Sequence, residues 1–171
     1  MVTMVPTHTM STGREIRCYD YVNHPYEQVR DALIKDPLRV FQAATRAAAS
    51  RAQSIASELR VDLGGMGFEA DIVIEIKKIE EQNREIQVPI TRIELGWRAA
   101  KMPALFPLMN GELAIYALTG SETQLDFRGV YEPPLGALGK ALDAIAGHRI
   151  AEVSVHRFVD DVAGHLRRTL G

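Results

Sequence analysis

The sequence predicts an α+β fold in which a run of antiparallel strands is followed by one long C-terminal helix. Three observations predict it. Strand-like alternation fills the middle of the chain, from Phe68 to Tyr131, without the strand–helix–strand rhythm of a parallel sheet. Two signals that pair a polar cap with proline, Asn23-His24-Pro25 and Asp36-Pro37, place two short helices after the first strand. Finally, Glu132-Pro133-Pro134-Leu135-Gly136 turns an alternating strand into helix. Pro133 and Pro134 have no N–H to give a ladder, yet they suit a first helical turn. From there roughly thirty residues read as helix, and the sheet is the surface against which its apolar face can be buried.

The first strand is read over residues 14–23, with Ile16, Cys18, Asp20 and Val22 on one side and Tyr19 and Tyr21 on the other. Pro25 is expected at the first position of a helix capped by Asn23 or His24, whose apolar stripe is Val29, Ala32 and Leu33. Asp36-Pro37 opens a second helix that buries Leu38, Val40, Phe41, Ala44 and Ala48. A short strand follows near residues 58–63, then a Gly64-Gly65-Met66-Gly67 turn. Phe68, Ala70, Ile72, Ile74 and Ile76 alternate with Glu69, Asp71, Glu75 and Lys77, the pattern of one buried and one wet face. Ile86, Val88 and Ile90 continue it, but Ile93, Leu95 and Trp97 have the opposite parity. A bulge or a tight turn is therefore expected near Thr91-Arg92, giving six strands with a bulge or seven with a hairpin. Leu113, Ile115 and Ala117 mark the next strand, and Leu125, Phe127, Gly129 and Tyr131 the inner side of the last.

Composition bounds the function. The 171 residues suit one self-sufficient domain, 46% of them apolar and 25% charged. Residues 1–13 read as a disordered tail and 14–171 as the folded unit. A net charge of −2 argues against nucleic acid as a partner. The single cysteine, Cys18, excludes an intramolecular disulfide and a multi-cysteine zinc site, and no cofactor or metal motif appears. No apolar run approaches the ~20 residues that span a bilayer, and no signal-peptide pattern is present, so the cytoplasm is the expected location. The oligomeric state is left open between monomer and homodimer.

Val22-Asn23-His24-Pro25-Tyr26-Glu27-Gln28-Val29, Phe106-Pro107 through Asn110-Gly111-Glu112-Leu113, Gly129-x-Tyr131-x-Pro133-Pro134-Leu135-Gly136 and the later His148-Arg149-Ile150-Ala151-Glu152 form a recognisable series. In that order they resemble an uncharacterised bacterial branch of the START-related SRPBCC superfamily, which includes polyketide cyclase/dehydrase-like proteins and lipid carriers. The resemblance spans roughly residues 14 to 168. It implies a helix-grip fold: a curved antiparallel sheet of six to seven strands around the long C-terminal helix, enclosing a ligand cavity. The superfamily holds carriers, sensors and enzymes, so the fold alone does not choose among them.

The terminal helix carries the most specific signal. Leu135, Leu138, Leu142 and Ile145 form one stripe; Ala151, Val155, Val159, Val162 and Leu166 form another, turned by about a quarter of a circle. Between them lie His148, Arg149, Glu152 and His156, at spacings that make Glu152 a potential hub for its neighbours. A pocket that orients a ligand needs a few polar groups in an apolar wall. The candidate ligand contacts are Phe68, Ile72, Ile74, Trp97, Phe106, Phe127 and Tyr131 on the sheet side, and His148, Arg149 and Glu152 on the helix. Ile86 and Val88 are expected on the same inner face. The expected function is to hold a small hydrophobic or amphipathic molecule, lipid-like or polyketide-like. The alternative is a cyclase- or dehydratase-like enzyme in the same cavity, with His148 or Tyr131 as acid–base and Arg149 stabilising an enolate.

Overall fold

The computed structural model describes residues 14–58, 72–82, 88–99, 108–132 and 144–171. Within them β1 (Arg14–Val22) is followed by α1 (Tyr26–Lys35) and α2 (Pro37–Glu58). The meander β2 (Ile72–Gln82), β3 (Ile90–Ala99), β4 (Leu108–Ala117) and β5 (Thr123–Glu132) comes next, and α3 (Ala144–Leu170) closes the described chain. The strands form one antiparallel sheet in the order β1-β5-β4-β3-β2. The α3 helix packs on β1 and α2, and α2 reaches across to β2, so the helices share one face of the sheet. The other face carries Arg17, Arg92, Glu94, Glu112, Asp126 and Arg128.

The helix starts follow local chemistry. At α2 the Asp36 carboxylate accepts a hydrogen bond from the Arg39 amide at 3.3 Å, leaving Pro37 in the first turn where no amide is missed. At α1 the expectation shifts by a residue: Pro25 is itself the cap, and no side chain of Asn23 or His24 caps the helix. Val29 and Leu33 are fully buried, with Tyr26 beside them. The second helix is not short. It runs 22 residues, through Glu58, where a strand was expected to begin, and residues 59–63 lie outside the described residues. Leu38, expected in its buried stripe, is 55% exposed; the stripe is Val40, Phe41, Ala44, Thr45 and Ala48.

Five strands, not six or seven, are present among the described residues. The expected break at Thr91-Arg92 is absent: β3 pairs with β4 without interruption from Ile90↔Tyr116 to Trp97↔Met109. The irregularity lies in β2, where the register shifts between Ile76 and Lys78 and leaves Lys77 as the extra residue. This bulge explains the parity change directly. Ile74 and Ile76 face Trp97 and Leu95, and after the bulge Ile79, of opposite parity, faces Ile93. Ile90 therefore belongs to the outer face, and Val88, read as inward, is 55% exposed ahead of β3. Lys77 itself donates a 2.5 Å hydrogen bond to Asn110 on the outer side.

Candidate functional site

The register turns the inner face into a lattice of rows that run across the sheet. One row is Tyr131, Met109, Trp97 and Ile74, each the direct neighbour of the next. All four are buried, between 3% and 9% exposed, because alternation aims them at the helices. The next row holds Ile16, Gly129, Gly111, Leu95 and Ile76. Its two glycines are required by close approach. A Cβ on Gly129 would lie 2.7 Å from Cε1 of Phe127, and one on Gly111 would strike the same ring. The Phe127 side chain thus lies flat over two residues that have no side chain.

On the Phe127 ring the helices lay their own aromatics. Phe158 of α3 sits 4.8 Å from Trp97 and 6.1 Å from Phe127, centroid to centroid, and Phe41 of α2 stacks at 5.9 Å on Phe158. Trp97 meets Phe127 edge-on at 5.8 Å. Such pairs add about 0.5–1.5 kcal/mol each beyond the area they bury. The space between sheet and helices is filled at this level, and Phe127, with no exposed surface, is enclosed by these rings. Phe158 was not among the candidate residues, although its spacing from Val155 and Val162 places it on the same helix stripe.

Two further parts make up the candidate site, the buried Tyr131–Met109–Trp97–Ile74 row and the first described turns of α3. Val155 reaches β1: its carbonyl is 3.9 Å from Sγ of Cys18. Ala151 is buried one turn earlier. His148 lies seven residues before Val155, almost in line with it on a helix of 3.6 residues per turn. It is half-buried, and its Nδ1 is shut off from solvent without a hydrogen-bond partner among the described residues. Burial raises two further groups here. The Cys18 thiol is pushed up to about 12, chiefly by burial and then by the charges of Asp160, Asp126 and Asp20. The Tyr131 hydroxyl is raised by burial, with Arg14 opposing, so it remains a proton donor at neutral pH.

Of the sequence candidates, Ile74, Trp97 and Tyr131 come together in one row, with Phe127 beneath them. His148 joins the buried stripe of α3. Arg149 and Glu152 are exposed, as is His156. The expected hub does not form, since no ion pair or hydrogen bond joins Glu152 to His148, Arg149 or His156 among the described residues. Ile72 opens β2, and Phe68 and Phe106 lie outside the described residues. Met109 was missed, though it shares the parity of Leu113 and Ile115. Asp20, on the inner side of β1, is tied down by Arg167, whose Nη2 donates to its carboxylate at 2.6 Å. No cluster of three or more metal-ligating side chains occurs among the described residues, and no helix there is long and apolar enough to cross a membrane.

No family model and no curated protein matches the chain. Solved structures do. An aromatase/cyclase from a Streptomyces species is 14% identical, with 92% of this chain and 96% of that one covered and a TM-score of 0.42. A conserved protein from Geobacillus kaustophilus is 10% identical over 91% and 97% of the two chains, with a TM-score of 0.46. A hypothetical protein from Helicobacter pylori is 8% identical over 98% and 99%, with a TM-score of 0.48. At this distance the likeness is one of chain path alone.

Proposed function

We propose that this protein holds a small hydrophobic or amphipathic ligand, of lipid or polyketide kind, between the open end of the sheet and the start of α3. One observation carries this reading. His148 Nδ1 is a buried polar atom without a partner among the described residues, almost in line on α3 with Val155, which reaches β1. Leaving such an atom unsatisfied costs about 1–3 kcal/mol, and a fold gains nothing from it unless something else supplies the missing bond. The Tyr131–Met109–Trp97–Ile74 row supplies the apolar part of the proposed site, with the Tyr131 hydroxyl as a donor at its edge. A ligand with an apolar body and one polar group matches that inventory. In this reading Phe127 and Phe158 form the floor, and Arg149 and Glu152, being exposed, act at the entrance.

Native mass spectra before and after denaturing extraction test the proposal. A discrete extra mass that extraction releases is the expected result, and it begins to identify the cargo. Trp97 is the only tryptophan and stands in the wall, so its emission reports occupancy directly. A clean apo mass, together with tryptophan emission that no long-chain fatty acid or aromatic polyketide changes saturably, overturns the reading.

A further inference from the structure

The outer face of the sheet carries a second concavity, independent of the interior. Two of its rows run Arg17, Arg128, Glu112, Glu94 and Tyr19, Asp126, Ala114, Arg92. Ala114 is the small residue at the centre, and around its methyl group the longer side chains enclose a cleft of ≈ 210 Å³. Both carboxylates in the wall are already engaged. Arg17 grips Asp126 with two hydrogen bonds, 3.2 Å from Nε and 2.9 Å from Nη2, and Asp126 is 6% exposed. Arg92 Nη1 lies 2.7 Å from the Glu112 carboxylate.

This pairing leaves Arg128 without an ion-pair or hydrogen-bond partner among the described residues. Its cross-strand neighbours are Arg17 on one side and Glu112, spent on Arg92, on the other. Like charges directly opposite on a sheet are destabilising, and Asp126 offsets the Arg17 side of this pair while the Arg128 guanidinium takes part in no ion pair among the described residues. The wall holds three guanidinium groups against two carboxylates. One positive charge is in excess, which suits a monoanion; a dianion would meet Asp126 and Glu112 at close range. A free guanidinium fork matches a planar carboxylate in two parallel hydrogen bonds. Beside it, Ala114, Ile90 and the Tyr116 ring offer apolar surface. Burial and the nearby Asp126 charge hold the Tyr116 hydroxyl in its protonated, donating form.

We propose that this outer cleft binds a small organic monocarboxylate, whose carboxylate pairs with Arg128 and whose apolar body rests on Ala114, Ile90 and Tyr116. NMR titration of the isotope-labelled full chain with sodium benzoate, at constant ionic strength, tests it. Saturable shifts at Arg128, Ala114 and Arg17 are expected, with inorganic phosphate producing none of comparable size. Arg128→Gln weakens binding about tenfold or more, the worth of a charge-assisted bidentate contact. Ala114→Leu fills the cleft while keeping every charge, and abolishes the shifts. The proposal is overturned by non-saturable shifts, by equal shifts with phosphate, or by wild-type binding in either variant. Because Arg128 is exposed and unpartnered, Arg128→Gln is expected to fold; should it not, Ala114→Leu decides alone.

Discussion

Replacing His148 by leucine separates stability from ligand binding at the candidate site. The Nδ1 atom is buried without a hydrogen bond among the described residues, and the folded state bears the desolvation of that atom with no return from them. Leucine has a similar reach, better helix propensity and no polar atom to strand. The native side chain is only half-buried, which leaves the lower part of the ~1–3 kcal/mol range for an unsatisfied group. His148→Leu is therefore expected to stabilise the apo protein by about 1 kcal/mol, raising Tm by roughly 2–4 °C for a chain of this length. The same substitution removes the proposed polar anchor, so affinity for an amphipathic ligand falls about tenfold, the weight of one hydrogen bond to a buried group. Thermal unfolding followed by circular dichroism reads the first effect, and Trp97 emission titrated with ligand reads the second. His156→Leu is the control: that residue is exposed on the same helix, and its replacement should move stability by less than about 0.5 kcal/mol. A loss of stability in His148→Leu would refute the reasoning, because it would mean that Nδ1 has a partner in the apo protein. Unchanged ligand affinity would remove His148 from the site.

Three other outcomes are expected. Phe158→Ala takes away the ring that joins Phe41, Trp97 and Phe127 and should cost about 3–5 kcal/mol, measured by urea unfolding; Phe158→Leu, which keeps most of the volume, should cost clearly less. Tyr26→Phe strands the buried Thr91 hydroxyl, now 2.7 Å from the tyrosine oxygen, and should lower stability by about 1–3 kcal/mol in the same assay. Cys18 has its thiol pushed up to about 12 by burial, against an ordinary value of 9.0. The folded state thus keeps a proton that the unfolded chain releases first. The associated stability is intact below pH 9.0 and is lost as pH rises towards about 12, a slope that Cys18→Ala should flatten. The thiol should also resist aromatic disulfide reagents at pH 8 until the protein is unfolded.

The sequence by itself determined what depends on short range. Alternation placed Ile16, Cys18 and Val22 inward and Tyr19 and Tyr21 outward, and it set the faces of Leu125, Phe127, Gly129 and Tyr131. Asp36-Pro37 marked a helix start because a carboxylate and a missing amide act within one turn. The long terminal helix and its stripe from Ala151 to Leu166 were legible for the same reason. Pairing decided the rest. The bulge sits at Lys77 and not near Thr91, because a parity change can be absorbed by either of two adjacent strands and only the register shows which one bears it. Five strands are described where six or seven were counted: a continuous β3 removes the extra hairpin, and the strand expected near 58–63 meets helix at Glu58 and otherwise lies outside the described residues. Glu152 failed as a hub, because helix spacing brings side chains within reach but does not turn them towards one another. His148 Nδ1 and Arg128 became conspicuous only once their neighbours were known. An unsatisfied atom is defined by partners that are absent in space, and no pattern along the chain records those.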